Sequence, residues 1–478
     1  ARTRAFPRCA SVFENQKTYW NGGWGAVYSR AMEKTLRAPR LSLLRISWPM
    51  FIEQLTGGIT AFTDTLFISM VSDEAAGSVG MLGPVLMLGY FIMPQFTSAG
   101  TSVAAQYMGA KRDDRVVPAW FANIAISTLM GTVLALALHA FSGRAGLVLG
   151  MTESQNAWAA SYLSVMAFNF IFVGLRTSYG SILASKTLTH WNMAASIVTD
   201  IINIPLNWML LTGFWIFPEL GVAGIALATV ISYFIGFSIL FVLVHWKLKV
   251  SFFVGHLFRQ AKDVVVPIFR IGIPAALEPF SYTIQSFFVS AVIIKLGSAA
   301  MSANTYVNRF NFLDMAASWS LTMGGQILMS HFLGANRTDD VRKAYWKIAG
   351  IISAFAFAVY LAIAVFPRFF LSMFTVDPAI VSLSIPLIFI ALAMEPIRSI
   401  NILGGVALKT VGDGRFSVVM GLIFMWGLVP VLFVTVALGG GIVAVWMCLL
   451  ADETLRALVN LWRWKSGRWE GRRVIDEK

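Results

Sequence analysis

Carboxylate and amide side chains recur at helical spacing inside long apolar stretches of this 478-residue chain. Asp64 follows Glu53 by eleven residues, which is about 20° round an α-helix, so both side chains face the same way. Asp200, Asn203 and Asn207 are spaced i, i+3 and i+7, which places them in one polar stripe on a second helix. Polar groups in such surroundings are costly unless they are paired, hydrated or functional.

Thr229 joins this group by its depth, since Asp64, Asn207 and Thr229 lie at similar distances along three apolar stretches. A carboxylate, amide carbonyls and a hydroxyl are the oxygen ligands that a hard cation such as Na⁺ takes. A buried aspartate can equally carry a proton, because burial disfavours its charged form. The alternative is a network of interhelical hydrogen bonds that binds no ion. The pattern favours ion coupling.

Other buried charges occur in similar places along the chain and suggest structural ion pairs. Glu53 and Glu278 each follow a proline by four residues, and Arg176 and Arg398 lie in two later apolar stretches. We predict the ion pairs Glu53–Arg176 and Glu278–Arg398, with Glu395 sharing Arg398 from one turn away. A local network on one helix is predicted for a further set of charges: Asp452, Glu453 and Arg456.

Asp314 lies in a stretch that also carries Asn304, Asn308 and Asn311 on one helix face. This arrangement predicts either a second polar patch facing a central cavity or a packing motif in which Arg309 neutralises Asp314.

The composition requires that the elements holding these residues cross a membrane. Hydrophobic residues make up 57% of the chain and charged residues 13%, with a mean hydropathy of +0.70. Soluble proteins carry about 25% charged residues, so a soluble enzyme is nearly excluded. An apolar run of about 20 residues spans a bilayer. Twelve such runs are found, at roughly 42–71, 80–108, 118–142, 155–183, 190–213, 220–246, 266–296, 303–333, 340–366, 378–408, 415–438 and 440–462.

The positions of Lys and Arg predict how the chain is oriented. The net charge is +13, of which +7 lies in residues 1–45 and +3 in residues 463–478. Alternating the loops between the two sides puts fifteen Lys and Arg on the side of the N-terminus and three on the other. By the positive-inside rule, both termini face the cytoplasm. The basic charge therefore describes topology, and no nucleic-acid partner is indicated.

The chain divides into two similar halves. A shift of 225 in residue number superposes Glu53 on Glu278 and GAKRDDRV (109–116) on GANRTDDV (334–341), while ASKT (184–187) matches ALKT (407–410) at a shift of 223. Asp64 has no counterpart, because Val289 occupies its equivalent position. At the shift of 223 the polar stripe falls on a set that cannot replace it: Ile423, Trp426 and Pro430. Two parallel six-helix repeats are typical of secondary transporters, with the path between the halves.

We therefore expect an all-α polytopic membrane protein with twelve helices in two pseudo-symmetric six-helix lobes. Its predicted parts are a basic N-terminal extension, an N-lobe, a cytoplasmic linker, a C-lobe and a basic cytoplasmic tail, at 1–40, 41–246, 247–265, 266–464 and 465–478. Met32 is a candidate true start, in which case residues 1–31 are a tag or an upstream misreading. A native disordered tail is the alternative.

The chain resembles the multidrug and toxic compound extrusion (MATE) family. The segments that carry the resemblance occur in family order over about residues 42–470: PMFIEQL…AFTDTLFIS (49–69), AAQYMGAKR (104–112), NIPLNWMLLTG (203–213), PELGVAGIALATVIS (218–232) and DETLRALVNLWRWKSGRW (452–469). The last segment is nearer the DinF-type branch of the family. Asn207 is a NorM-type feature, because archaeal-type members have an Asp there.

The resemblance implies a V of two six-helix lobes and an N-lobe cation site made by Asp64, Asn203, Asn207 and Thr229. It links Pro49 to bending of the first helix on protonation; an ordinary proline near a helix start is the alternative.

NorM-type members also place acids on helices seven and ten. Glu278 and Glu395 are shifted in register from those positions, which leaves open whether the C-lobe has an ion site.

The expected function is export of a small organic cationic or amphipathic substrate, such as a drug or toxic metabolite, by antiport with Na⁺ or H⁺. We expect a monomer in the bilayer of the cell inner membrane, with no cofactor beyond the coupling ion. The alternative is a lipid-linked oligosaccharide flippase of the related superfamily, which needs a cationic cavity; Arg309 is the mid-span candidate. Enzymatic activity is not expected, because the five histidines are scattered: His139, His190, His245, His256 and His331.

Overall fold

The computed structural model describes residues 42–214, 216–250, 254–472 and 474–475, with the backbone alone for residues 88 and 254–262. These residues form helices and no strands. The helices are α1 (Leu43–Ser69), α2 (Asp73–Met81), α3 (Gly83–Gly109), α4 (Asp113–Val148), α5 (Glu153–Met166), α6 (Asn169–Ser185), α7 (Thr189–Thr212), α8 (Gly221–Val242), α9 (Val254–Ile294), α10 (Ser298–Gly334), α11 (Thr338–Val365), α12 (Pro367–Ser372), α13 (Pro378–Thr410), α14 (Gly414–Ala437) and α15 (Ile442–Lys465). The predicted extension at 1–40, with Met32, lies outside the described residues.

Each of the twelve predicted spans coincides with helix. Eight helical segments in the described ranges are long and apolar enough to cross a membrane, and the bent pair of α2 and α3 makes a ninth if it is counted as one span. The other three spans are α1, α10 and α15, of 27, 37 and 24 residues, which is enough for a bilayer that requires about 20. These three helices carry Asp64, Asp314 and Glu453, and such charged residues lower their mean hydropathy.

Local sequence signals fix several helix ends. Thr152 accepts a hydrogen bond from the backbone N–H of Gln155, whose side chain bonds back to the Thr152 backbone, and this capping box begins α5. The Asp377 side chain caps α13 in a similar way. Gly213 ends α7 in the left-handed region at φ 68, where glycine avoids the strain that a Cβ would cause.

The two halves repeat in a single register, a shift of 225 in residue number. α3 and α10 end at Gly109 and Gly334, and α7 and α14 begin and end at positions related by the same shift. In the loops that share a sequence, Lys111 and Asn336 have φ of 57 and 58. Left-handed backbone is uncommon for residues other than glycine, so the shared conformation shows that both loops fold alike.

The shift of 223 proposed for the later part of the repeat is wrong. α6 ends at Ser185 and α13 at Thr410, and the left-handed residues Thr187 and Gly412 follow them, so the shift is 225 here too. The short match between ASKT and ALKT gave the wrong shift because the positions of the helix ends, rather than a few identical residues, define the register of the repeat. The polar stripe of α7 therefore corresponds to an apolar set in α14: Met425, Leu428 and Leu432.

The halves interlock where α3 and α10 end. Leu43 at the start of α1 packs in a core of the second half with Met329 and Tyr345. Conversely, Val264 and Ile268 of α9 pack in a core of the first half. α9 begins at Val254, so helix already covers the later part of the predicted linker 247–265. We call this end of the bundle, with the loops 110–112, 186–188 and 335–337, the basic end.

Candidate functional site

Four of the predicted site residues meet in the first half. Asn207 Nδ2 donates to Asp64 Oδ1 at 2.6 Å and to Asn203 Oδ1 at 2.9 Å. Thr229 Oγ1 donates to Asp64 Oδ2 at 3.4 Å, and Asn203 Nδ2 lies 3.5 Å from Thr229 Oγ1. These four side chains form a closed hydrogen-bonded ring, which we call the Asp64 ring.

Three packed helices hold the Asp64 ring, since α7 packs against both α1 and α8. Asn203, Asn207 and Thr229 are each at most 4% exposed, whereas Asp64 is only partly buried. Hydrogen bonds to a charged group are worth about 1.5–3 kcal/mol each, and buried amides require partners. The ring therefore fixes the carboxylate in place and leaves it partly accessible.

The oxygen atoms of the Asp64 ring can accept further hydrogen bonds or coordinate a cation. Asn207 Oδ1 is buried and has no hydrogen-bond partner among the described residues. A carboxylate offers about four acceptor positions, and the two described hydrogen bonds to Asp64 use one on each oxygen. The site therefore fits a monovalent cation or a proton. Because the Asn207 amide turns its nitrogen toward Asp64, its oxygen would reach a shared cation only after the amide rotates.

The predicted ion pair of the first half is present. Arg176 Nη2 lies 3.4 Å from Glu53 Oε1, and the guanidinium also lies over the Tyr233 ring at 5.1 Å. Asp200 lies close enough to Glu53 and Asp64 to interact electrostatically with both, and its buried Oδ2 has no described partner. Charged groups thus extend from the Asp64 ring to Glu53.

A cavity of about 260 Å³ lies between the halves beside this ion pair. Glu53 and Gln54 line it from the first half, and Trp319, Met323 and Gln326 from the second. Its wall combines the paired Glu53 carboxylate and Arg176 guanidinium with amides, hydroxyls, methionines and an indole. Pro49 lies inside α1 one turn before Glu53, at the level where the cavity begins.

The predicted pair Glu278–Arg398 is wrong, since Glu278 Oε2 instead accepts from Lys409 Nζ at 2.6 Å. The structural register explains the error. At a shift of 225, Arg176 corresponds to Asn401, so Arg398 lies one turn further from the basic end than an equivalent of Arg176 would.

Arg398 belongs to a different network, within the second half. Its Nη1 donates to Glu395 Oε1 at 2.6 Å, as predicted, and its Nε donates to Glu453 Oε1 at 3.2 Å. Arg456 also pairs with Asp452 at 2.6 Å and with Glu453 at 2.9 Å, so the predicted local network exists and extends to α13. A chamber of about 230 Å³ adjoins this network.

Asn304 and Asn308 of α10 line that chamber rather than the central cavity, and Asn311 Nδ2 donates to Asn308 Oδ1 at 3.2 Å. Asp314 is fully buried, and neither of its carboxylate oxygens has a partner among the described residues. The packing motif with Arg309 is therefore absent. Asp314 lies close enough to Glu395 for electrostatic repulsion.

Several residues of these networks were not identified from the sequence. Lys409 is one, because the tenth predicted span ends at residue 408, whereas Lys409 lies in the last turn of α13 and pairs with Glu278. Tyr233 is another, because an aromatic residue in an apolar helix carries no signal of the cation above it. Asn401 is a third, and its Nδ2 donates to Glu453 Oε2 at 2.9 Å. The correct shift of 225 would have identified Asn401 as the counterpart of Arg176.

The family model MatE matches residues 49–209 and 274–435. Both matches begin at a proline, Pro49 and Pro274, and these two prolines are related by the shift of 225. The matched segments cover most of both halves.

Several curated proteins are similar to this chain over nearly its whole length. An uncharacterised transporter, YisQ of Bacillus subtilis, is 27% identical over 93% of this chain and 98% of its own. A probable multidrug resistance protein, NorM of Thermotoga maritima, is 22% identical over 92% and 95%. The multidrug export protein MepA of Staphylococcus aureus is 25% identical over 88% and 92%.

Solved structures of MATE transporters share the fold. The MATE structure in the straight conformation superposes with a TM-score of 0.80 at 18% identity, covering 90% of this chain and 96% of that one. An outward-facing multidrug resistance transporter of the same family gives 0.78 at 18% identity, covering 91% and 98%. With the two-lobe helical fold and the match of the family model to both halves, the chain belongs to the MatE family of membrane transporters.

Proposed function

We propose that this protein exports small organic cations, including drugs or toxic metabolites, by antiport with Na⁺ or H⁺. The observation that carries the proposal is the Asp64 ring. It is a partly accessible carboxylate held by amides and a hydroxyl, and the second half has apolar residues in its place. A structural requirement of the fold would be expected in both halves, whereas a coupling site is needed only once.

Alternating access gives the Asp64 ring its role. A ligand shifts a conformational equilibrium only through a difference in its affinity for the two states. Loading Asp64 with a cation or proton neutralises the carboxylate, which changes its bonds to Asn207 and Thr229 and hence the packing of α1 against α7 and α8. Through α1, which also carries Glu53 at the central cavity, ion loading is coupled to release of the substrate.

The central cavity suits a cationic amphipathic substrate. Trp319 supplies an aromatic face for cation–π contact, and Met50 and Met323 supply an adaptable apolar surface. Glu53 adds a partly exposed carboxylate, whose charge Arg176 partly offsets. Arg176 is held by Glu53, so the cavity does not present a free cation for the pyrophosphate that a flippase would carry.

The orientation and boundaries belong to the same proposal. We place the protein in the cell inner membrane as a monomer, with the basic end and both termini in the cytoplasm, because Lys and Arg concentrate in the loops of that end. The lobes run over about 41–246 and 266–464, and α1 and α9 each carry an opening segment that packs on the other lobe.

The test is Asp64→Asn in proteoliposomes with Na⁺ and pH gradients imposed separately. We expect the wild type to export a fluorescent organic cation against its gradient when one of the two ion gradients is imposed. The variant should stay folded, because the Asn carbonyl oxygen can still accept from Asn207 and its NH2 group can donate to the Thr229 hydroxyl oxygen. It should nevertheless lose gradient-driven export. Glu153→Gln is the matched control, since Glu153 is exposed in the first turn of α5. Full gradient-driven export by Asp64→Asn would refute the assignment.

A further inference from the structure

The halves meet at the basic end through contacts that the Asp64 ring does not use. Ser98 Oγ of α3 lies 2.7 Å from Gln326 Oε1 of α10, at the wall of the central cavity. One turn nearer the basic end, Ser102 Oγ lies 2.8 Å from Ser330 Oγ. These two hydrogen bonds close the path between α3 and α10 on the side of the cavity facing the basic end.

Two longer side chains extend this closure reciprocally. Gln106 Nε2 donates to the carbonyl oxygen of Thr410 at 3.0 Å. His331 is the counterpart of Gln106 under the shift of 225, and its Nε2 lies 2.8 Å from the carbonyl oxygen of Ser185, the counterpart of Thr410. A carbonyl oxygen only accepts, so His331 Nε2 is the donor. Each half therefore reaches across and bonds the last residue of α6 or α13 in the other half.

Two glycines allow the helices to approach closely enough for these bonds. A Cβ added at Gly109 would collide with the carbonyl oxygen of His331 and lie 2.9 Å from its carbon. A Cβ added at Gly334 would collide with the carbonyl oxygen of Gln106 and lie 2.7 Å from its carbon. These obstacles are backbone atoms, which cannot turn aside as a flexible side chain can. The contacts again exchange under the shift of 225.

We propose that this two-fold set of contacts is a gate that must open at the basic end in each transport cycle. Gly109 and Gly334 permit its closure, and Gln106 and His331 lock it. These are positioning residues, since none of them belongs to the Asp64 ring. Opening of the gate in a transport cycle rests on the proposed function, whereas the closed arrangement of the gate is given by the contacts themselves.

The mechanism follows from how the contacts are shared. All four hydrogen bonds join one half to the other, so a rigid-body rotation of the halves breaks them together. Interfaces of this kind behave as two discrete arrangements rather than as a continuous range. The gate therefore sets the equilibrium between a state closed at the basic end, described here, and one that opens there.

The first test is a reversible cross-link across the gate. Ser102→Cys with Ser330→Cys is made in a background of Cys9→Ser and Cys448→Ser. We expect a mild oxidant to form the disulfide in the purified protein, to abolish export in proteoliposomes, and dithiothreitol to restore it. Undiminished export by the fully cross-linked protein would overturn the proposal, and so would failure of the folded protein to form the disulfide.

The second test uses the glycines. Gly109→Ala and Gly334→Ala should each slow formation of the 102–330 disulfide by about tenfold, the effect of shifting a two-state equilibrium by one decade, and should reduce export. Gly143→Ala and Gly350→Ala are the matched controls, because a Cβ at either position meets nothing within 4 Å. Equal cross-linking rates in all four variants would contradict a gate that depends on close approach.

Asp64→Asn in the cross-linking background separates this inference from the proposed function. It should still form the disulfide, because the gate lies away from the Asp64 ring. If the disulfide forms but no ion gradient drives export in the wild type, the proposed function fails while the gate contacts stand.

Discussion

Buried polar side chains in this protein differ in how fully they are paired. The four side chains of the Asp64 ring, on three helices, hydrogen-bond to one another. The one oxygen of the ring without a described partner is Asn207 Oδ1, and it belongs to the residue whose nitrogen joins Asp64 to Asn203. In the second half, Asp314 and Glu395 lie where the first half has Gly89 packed on the Phe170 ring. A glycine and an aromatic ring have thus been replaced by two acids, a change that costs stability and that packing does not require.

That cost predicts the effect of Asp314→Ala. Neither oxygen of Asp314 has a described partner, and leaving a buried polar group unsatisfied costs about 1–3 kcal/mol. The variant should therefore unfold at a higher temperature than the wild type in detergent, as measured by a thiol-independent thermal shift assay. Asp413→Ala is the control of opposite sign, because Asp413 accepts from Arg463 at 2.6 Å and from Arg472 at 2.5 Å. A lower unfolding temperature for Asp314→Ala would mean that the carboxyl is stabilised.

The sequence predicted elements better than it predicted the contacts between them. Helix length and apolarity follow from the bilayer, so all twelve spans coincided with helix, and the Asp64 ring followed from depth and spacing. The pairing of Glu278 was wrong because it depends on register to within one turn. The cross-half bonds of Gln106 and His331 were not predicted, because their acceptors are backbone carbonyls, which every residue has.

The loop between α6 and α7 contains a buried lysine, Lys186, whose unfavourable burial becomes clear when it is compared with its counterpart in the second half. Lys186 corresponds to Val411, which is fully buried, and Lys186 itself is 3% exposed. Burial lowers the pKa of Lys186 to about 8, and its amine has no ion pair or hydrogen bond among the described residues. The first half therefore carries a lysine at a position where its counterpart has an aliphatic side chain.

Lys186→Met should stabilise the protein, and the gain should depend on pH. The unfolded lysine has a pKa of about 10.4, so between about pH 8 and 10.4 the unfolded chain binds more protons and the stability of the wild type rises with pH. The penalty is complete below pH 8, where the variant gains at most about 3 kcal/mol. Thermal unfolding at pH 7 and 9.5 should show the gain shrinking as pH rises. A gain independent of pH would assign it to packing alone.

As a whole, the molecule combines a symmetric scaffold with an asymmetric site. Helix ends, the loops at Lys111 and Asn336 and the gate all repeat under the same shift, whereas the Asp64 ring has no counterpart. Under the proposed function, the symmetric gate would let the halves rotate as rigid bodies, and the asymmetric Asp64 ring would let one half respond to the ion gradient. The contacts described between α3 and α10 lie toward the basic end, so the central cavity is expected to communicate with the opposite side.

This arrangement predicts the side from which the cavity is reached at rest. In a background of Cys9→Ser and Cys448→Ser, Gln54→Cys should react in intact cells with a membrane-impermeant maleimide, because Gln54 is exposed and lines the cavity. Lys111→Cys, in the loop of the basic end, should react only after permeabilisation, and Gly143→Cys, near the opposite end of α4, should react in both conditions. The 102–330 disulfide should leave labelling of Gln54→Cys intact, since it holds the basic end closed. Protection of Gln54→Cys in intact cells, with labelling restored by permeabilisation, would show that the resting protein opens at the basic end instead.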